Sequence, residues 1–220
     1  VIVALEDKTM ESNFTNRKTK DRVFAYLLHD SLYLNITNRC PNACLFCIRD
    51  SDNGVGYNLW LEREPAAAEI LAGVGDLRGL REIVFCGYGE PLMRPEVLTQ
   101  VAAGLKERIR TEGLDIGIRI NTNGLADLFL DYDVLPQLKD LFDTVSISLN
   151  AHNSESYLRI TRSPYGEMAY PAVLDFARRS ILYIPKVVLS VVRYPGVDIE
   201  EVTKISRDLG VELRIREYME

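Results

Sequence analysis

The sequence predicts an α/β fold built on a parallel sheet, on two observations. Short apolar, β-branched runs recur six times along the 220 residues, and amphipathic helical periodicity fills most of the gaps between them. Strands separated by helices pair in parallel through right-handed crossovers, so helices must cover the sheet. With 47% hydrophobic and 26% charged residues, a chain of this length is expected to form one globular domain with a substantial core. Pattern alone leaves an open sheet and a partly closed barrel as alternatives.

In chain order, residues 1–22 are mostly polar after a short apolar start and read as a tail outside the fold, leaving 23–220 as the domain. The strands are Leu32–Thr37, Glu82–Cys86, Ile116–Ile120, Thr144–Leu149, Lys186–Val192 and Val211–Arg216. Pro65–Gly73 reads as a helix. Pro95 opens another, in which Val97, Leu98, Val101, Ala102, Leu105 and Ile109 line one face. Asp133–Leu141 and Asn153–Ile160 read as shorter helices and Pro171–Ile181 as a longer one. A last helix starts at Asp198, whose spacing to Glu201 fits a capping box, and stops at Gly210. The longest irregular stretch, Ile48 to Glu64, contains the only tryptophan, Trp60, either at a substrate entrance or as an anchor on the core.

Twenty-six Lys and Arg against 32 Asp and Glu give a net charge of −6, without the basic footprint of a nucleic-acid or anionic-membrane binder. No run of eighteen apolar residues is present, and the opening Val1–Leu5 is too short for a secretory core. A cytoplasmic location is therefore expected. Four cysteines without an export signal argue for thiol, metal or packing roles rather than disulfides.

Ligand-binding groups in parallel α/β folds collect at the carboxyl ends of the strands. Here those ends carry Asn38 through Cys47, Gly87-Tyr88-Gly89-Glu90-Pro91, Asn121-Thr122-Asn123-Gly124 and Asn150. Cys40, Cys44 and Cys47 are spaced C-x3-C-x2-C, and Pro41 and Asn42 disfavour a regular helix, so the loop can wrap three sulfurs around one soft-metal centre. A structural zinc site would want four closed ligands in paired spacing, and neither His29 nor His152 completes one. Three thiolates on an iron–sulfur cube leave one iron without a protein ligand, free to bind a small molecule. Cys86, in an apolar run, reads as a small core residue.

These motifs, C-x3-C-x-Phe-C after the first strand, Gly-Glu-Pro after the second and Thr-Asn-Gly after the third, closely resemble the radical S-adenosylmethionine (radical SAM) superfamily over roughly residues 30 to 218. Tyr33–Cys40, Gly56–Glu62 and Val145–Ala151 resemble more narrowly its TatD-family-nuclease-associated subfamily. The resemblance implies a partial, six-stranded (β/α)6 TIM-like barrel of parallel strands, open on one side. It also implies that Cys40, Cys44 and Cys47 hold a [4Fe-4S] cluster whose open iron chelates S-adenosylmethionine. Reductive cleavage would then yield a 5'-deoxyadenosyl radical that acts on an unidentified substrate.

By the same resemblance Phe46 packs on the adenine, and Tyr88, Gly89 and Glu90 form the turn that binds the methionine amino group. Asn121 and Ser148 contact ribose and carboxylate. Each residue also has a plain structural role open to it: an apolar anchor, a tight turn, a turn dipeptide, a small residue under the sheet. The implied partners are an external one-electron donor such as flavodoxin or ferredoxin and a functional link to a TatD-type hydrolase. Alternatives are a glycyl-radical-enzyme activase acting on a protein, a non-enzymatic iron–sulfur redox or sensor protein with Cys86 as fourth ligand, and a structural zinc loop. Arg159, Arg162, Arg193, Arg214 and Arg216 can each meet an anionic substrate or, as is commoner for arginine, lie on a solvated face; strand alternation points Arg214 and Arg216 to the same side, which is either the site or the side away from it.

Overall fold

The computed structural model describes residues 23–50 and 55–218. The expected tail, 1–22, and part of the long irregular stretch lie outside the described residues. The rest forms a seven-stranded sheet in sequential order: β1 (Ala25–Leu28), β2 (Ser31–Leu34), β3 (Glu82–Phe85), β4 (Gly117–Thr122), β5 (Thr144–Ser148), β6 (Lys186–Arg193) and β7 (Glu212–Glu217). From β2 to β7 every pairing is parallel, as the helices between them require. β1, which the hydrophobic runs do not reveal, pairs antiparallel with β2 through a hairpin in which His29 takes a left-handed backbone, φ 56°.

The connecting helices are α1 (Ala67–Gly73), α2 (Pro95–Glu112), α3 (Ala126–Leu130), α4 (Leu135–Leu138), α5 (Ser154–Thr161), α6 (Ala169–Ser180) and α7 (Ile199–Asp208). Their ends carry the expected signals. Pro95 opens α2 and Gly113 closes it at φ 65°, while Asn153 caps α5 through Ser156 N. At α7, Asp198 accepts from the amides of Glu200 and Glu201. The helix expected over Asp133–Leu141 shrinks to the single turn of α4, and α3 precedes it.

Alternation along the strands sorts side chains into two layers. Leu32, Leu34, Ile83, Phe85, Ile118, Ile120, Val145, Ile147, Leu189 and Val191 are buried against the helices in one continuous core. The opposite face carries Tyr33, Glu82, Val84, Arg119, Asn121, Ser146, Ser148, Val188, Ser190 and Arg216. A flat sheet would hold β7 about 19–24 Å from β3 and β2. Yet Cys86, just after β3, and Tyr33 on β2 both act electrostatically on Arg216 of β7. The sheet therefore curls, and its second face becomes the interior of a partial barrel whose strand order does not close.

Candidate functional site

The cysteine loop leaves the carboxyl end of β2 and is fixed from three sides. The free carbonyls at the end of α5 accept from it: Ala43 N donates to Thr161 O at 3.0 Å and Leu45 N to Ile160 O at 2.9 Å. On the β3 side Glu90 N donates to Arg39 O at 2.8 Å. Gly89 is pressed so closely on the loop that an added Cβ would lie 2.3 Å from Thr37 O and 2.7 Å from Arg39 O, so glycine is required there by backbone contact. Asn35 and Asn38 hold the later part of the chain by donating from their amides to Leu59 O and Leu61 O, at 2.5 and 2.7 Å.

Within this frame Cys40, Cys44 and Cys47 are half-buried free thiols. Burial pushes Cys40 up to about 11, with help from Glu90, and Cys44 up to about 12, with help from Cys40 and Cys47. Deprotonated, the three sulfurs repel one another, so a cationic centre is what would hold them as thiolates. Arg49 is the nearby countercharge: its Nε donates to Cys47 Sγ at 3.2 Å and its Nη2 to Asn42 O at 3.3 Å. From the β4 turn, Asn123 Nδ2 reaches Cys40 Sγ at 4.0 Å.

No three His, Cys, Asp or Glu groups among the described residues sit close enough to share a single ion. A four-iron cluster spreads its sulfur ligands more widely than one ion does, and the soft donor set suits iron. Glu90, Arg49 and Cys47 act on Cys40, and Cys40, Cys47 and Arg49 act on Cys44. Cys86 instead acts on Tyr26 and Arg216. It is half-buried after β3 on the barrel side, not the core residue that its apolar run suggested.

Glu90 is buried, with its carboxylate largely committed. Oε1 accepts from Leu92 N at 3.1 Å and Thr122 Oγ1 at 2.8 Å, and Oε2 from Asn123 N at 2.7 Å. Burial pushes it up to about 7 against the pull of those donors. Glu90 thus ties the turn after β3 to the turn after β4, and both lean on the cysteine loop. Tyr88 meets the ring of half-exposed Trp60 edge-on at 5.1 Å, so the tryptophan borders the site loop. Phe46 lies against Tyr194, just past β6, at 5.5 Å.

Asn121 gives its carbonyl oxygen to Arg119 Nη1 at 2.6 Å, and Ser148 is half-buried at the end of β5. Two residues later Asn150 adopts φ 56° and keeps a buried Oδ1 with no partner among the described residues, as does Asn42 of the cysteine loop. An unsatisfied buried acceptor within the cysteine loop fits a site built to receive a polar ligand.

Sequence reasoning passed over the barrel interior. Arg119, 5% exposed, is paired to Glu82 through Nε at 2.9 Å and Nη2 at 2.8 Å. Of the two sides open to it, Arg216 takes the barrel interior: its Nη2 donates to the fully buried Ser190 Oγ at 2.7 Å. The signal was there in the alternation of Arg119 and Asn121 with Ile118 and Ile120, and of Ser146 and Ser148 with Val145 and Ile147.

A partial parallel β/α barrel with three soft ligands on the loop after its first parallel strand defines a class of cluster-bearing α/β barrels. The chain belongs to the Radical SAM superfamily, whose family model matches residues 34–209, and whose members are enzymes that use a [4Fe-4S] cluster and S-adenosylmethionine.

Among curated proteins it is 28% identical over 193 residues to the probable GTP 3',8-cyclase of Methanocaldococcus jannaschii, covering 86% of this chain and 59% of that protein. It is 30% identical over 199 residues to the GTP 3',8-cyclase of Lactiplantibacillus plantarum, covering 87% and 55%. The chain thus spans little more than half the length of these relatives. Its fold is similar to that of a radical SAM methyltransferase from Sphaerobacter thermophilus, with TM-score 0.56 and 19% identity over 88% of this chain and 68% of that one. Methylornithine synthase gives TM-score 0.56 at 16% identity, over 86% and 53%. Among the described residues no helix is long and apolar enough to cross a membrane.

Proposed function

We propose that residues 23–220 form the catalytic barrel of a radical SAM enzyme that acts on a substrate held against the barrel's polar inner face. The observation that carries this reading is the convergence of Cys40, Cys44 and Cys47 on one loop, braced by Gly89, Glu90 and the end of α5. When bound, the cluster and S-adenosylmethionine supply a one-electron cleavage of the sulfonium and a 5'-deoxyadenosyl radical that abstracts hydrogen from the substrate. The chain's own residues would do the rest. Cys40, Cys44 and Cys47 would hold three irons, while Arg49 would donate to Cys47 and partly offset the negative charge of the thiolates.

Glu90 would act mainly by positioning the turn whose Tyr88 and Gly89 backbone meets the cofactor's amino group. Asn121 keeps its amide N–H groups for a ribose or carboxylate, and Ser148 and Asn150 add polar groups at the end of β5. Phe46 would offer its ring to the adenine. Electrons would come from an external carrier such as flavodoxin or ferredoxin.

The names of the curated relatives support a reaction like that of GTP 3',8-cyclase. The likeness of Tyr33–Cys40, Gly56–Glu62 and Val145–Ala151 to the TatD-associated subfamily supports a working link with a TatD-type hydrolase.

Electron paramagnetic resonance of the anaerobically reconstituted, reduced protein tests the cofactor site. S-adenosylmethionine is expected to change the cluster signal, because one iron lacks a protein ligand, and Cys86→Ala is expected to leave the signal unchanged. A cluster indifferent to S-adenosylmethionine and altered by Cys86→Ala would favour a closed redox or sensor centre.

A further inference from the structure

The barrel interior holds a guanidinium without a countercharge. Arg216 Nη2 is bonded to Ser190 Oγ, while Nε is sealed from solvent and has no partner among the described residues. The nearby carboxylates are committed elsewhere: Glu82 to Arg119, Glu212 to Lys186 at 2.7 Å and Glu217 to Arg193 at 3.2 Å. Burial and the like charges of Arg214 and Arg119 pull Arg216 below its ordinary value, with only Cys86 and Tyr33 opposing them. Burying a cation in this way is costly unless an anion joins it. Ser146 and Ser148 line the same inner face and carry hydroxyl donors, while the Ser190 hydroxyl donates to Ile147 O at 3.5 Å.

We infer that Arg216 is the specificity-determining anchor for an oxyanion on the substrate, a phosphate or a carboxylate, bound on the inner face of the barrel beside Ser190. This deepens the proposed function and rests on it for the word substrate. Arg216 lies toward the carboxyl end of β7, and the arginine that donates to the cysteine loop is a different one, Arg49. The edge of a planar guanidinium that pairs side-on with an anion carries Nε–H and Nη2, and in Arg216 the Nε–H of that edge is unpartnered among the described residues while Nη2 is shared with Ser190 Oγ.

The test is thermal denaturation of the reconstituted full chain in potassium phosphate and in potassium acetate, each against potassium chloride of equal ionic strength. At least one oxyanion is expected to raise the wild-type midpoint beyond chloride. Phosphate alone would identify a phosphorylated substrate, and acetate alone a carboxylate. Arg216→Met is expected to abolish the rise, corresponding to roughly tenfold or weaker binding. It is also expected to raise the ligand-free midpoint, which loss of a merely structural arginine would lower. Arg110→Gln, an exposed helix position, serves as the surface control.

Equal response to chloride and both oxyanions in the wild type, or equal oxyanion response in wild type and Arg216→Met, would overturn the inference. Should Arg216→Met fail to fold, Arg216→Lys keeps the charge without the fork and is expected to retain a weakened response; an undiminished one would overturn the inference. The resonance measurement above reads the cofactor site separately. A missing oxyanion effect alongside a normal S-adenosylmethionine response would therefore remove this inference and leave the proposed function standing.

Discussion

Replacing Glu82 by Gln would show how strongly the barrel interior depends on paired charge. Arg119 sends Nε and Nη2 to the two oxygens of Glu82, and its side chain is 6% exposed against 24% for Glu82. Burial works to lower Arg119, and Glu82 outweighs it, so the arginine ends above its ordinary value. Glutamine keeps the shape, accepts one of the two hydrogen bonds and leaves the guanidinium uncompensated. Breaking a buried pair costs about 3–5 kcal/mol, and the partial exposure of Glu82 argues for about 2–3 kcal/mol here.

For a domain of this size each kcal/mol moves the melting midpoint by about 2–4 °C, so a drop of roughly 5–10 °C is expected. Urea unfolding of the single variants and of Glu82→Gln/Arg119→Met completes a double-mutant cycle, in which the double variant recovers most of the loss. A loss below about 1 kcal/mol would refute the reasoning, because solvent would then be compensating the guanidinium.

Two further substitutions test the frame around the cysteines. Gly89→Ala drives a Cβ into the Thr37 and Arg39 carbonyls, which no rotamer can relieve; it should cost about 1–3 kcal/mol and lower iron retained after reconstitution, measured by iron analysis. Glu90→Ala strands the donors Leu92 N, Thr122 Oγ1 and Asn123 N. It should lower stability by about 2–4 kcal/mol and weaken S-adenosylmethionine binding while the cluster still assembles, as equilibrium dialysis would show.

The cysteine loop and the turns after β3 and β4 were legible because their chemistry is local: three thiols within eight residues, and a Gly-x-Gly-Glu-Pro turn. β1 escaped because four residues that follow a polar stretch, turned by His29 and Asp30 rather than by glycine, leave no pattern of their own. Alternation placed Arg214 and Arg216 on a common side, but whether that side meets solvent or a barrel interior depends on the curl of the sheet. That curl is set by pairings between distant strands. The same limit applies to Glu90: the sequence shows a carboxylate at a strand end, while the groups that occupy it arrive from Leu92 and from the next βα turn.

The central claim is that Cys40, Cys44 and Cys47 serve cleavage of S-adenosylmethionine. It is tested most directly by quantifying 5'-deoxyadenosine after anaerobic reconstitution with iron and sulfide, under a strong reductant, for the wild type and Cys44→Ala. The account predicts formation of 5'-deoxyadenosine by the wild type and its loss in Cys44→Ala, together with loss of the cluster. A wild-type cluster that forms and persists without yielding 5'-deoxyadenosine would contradict it.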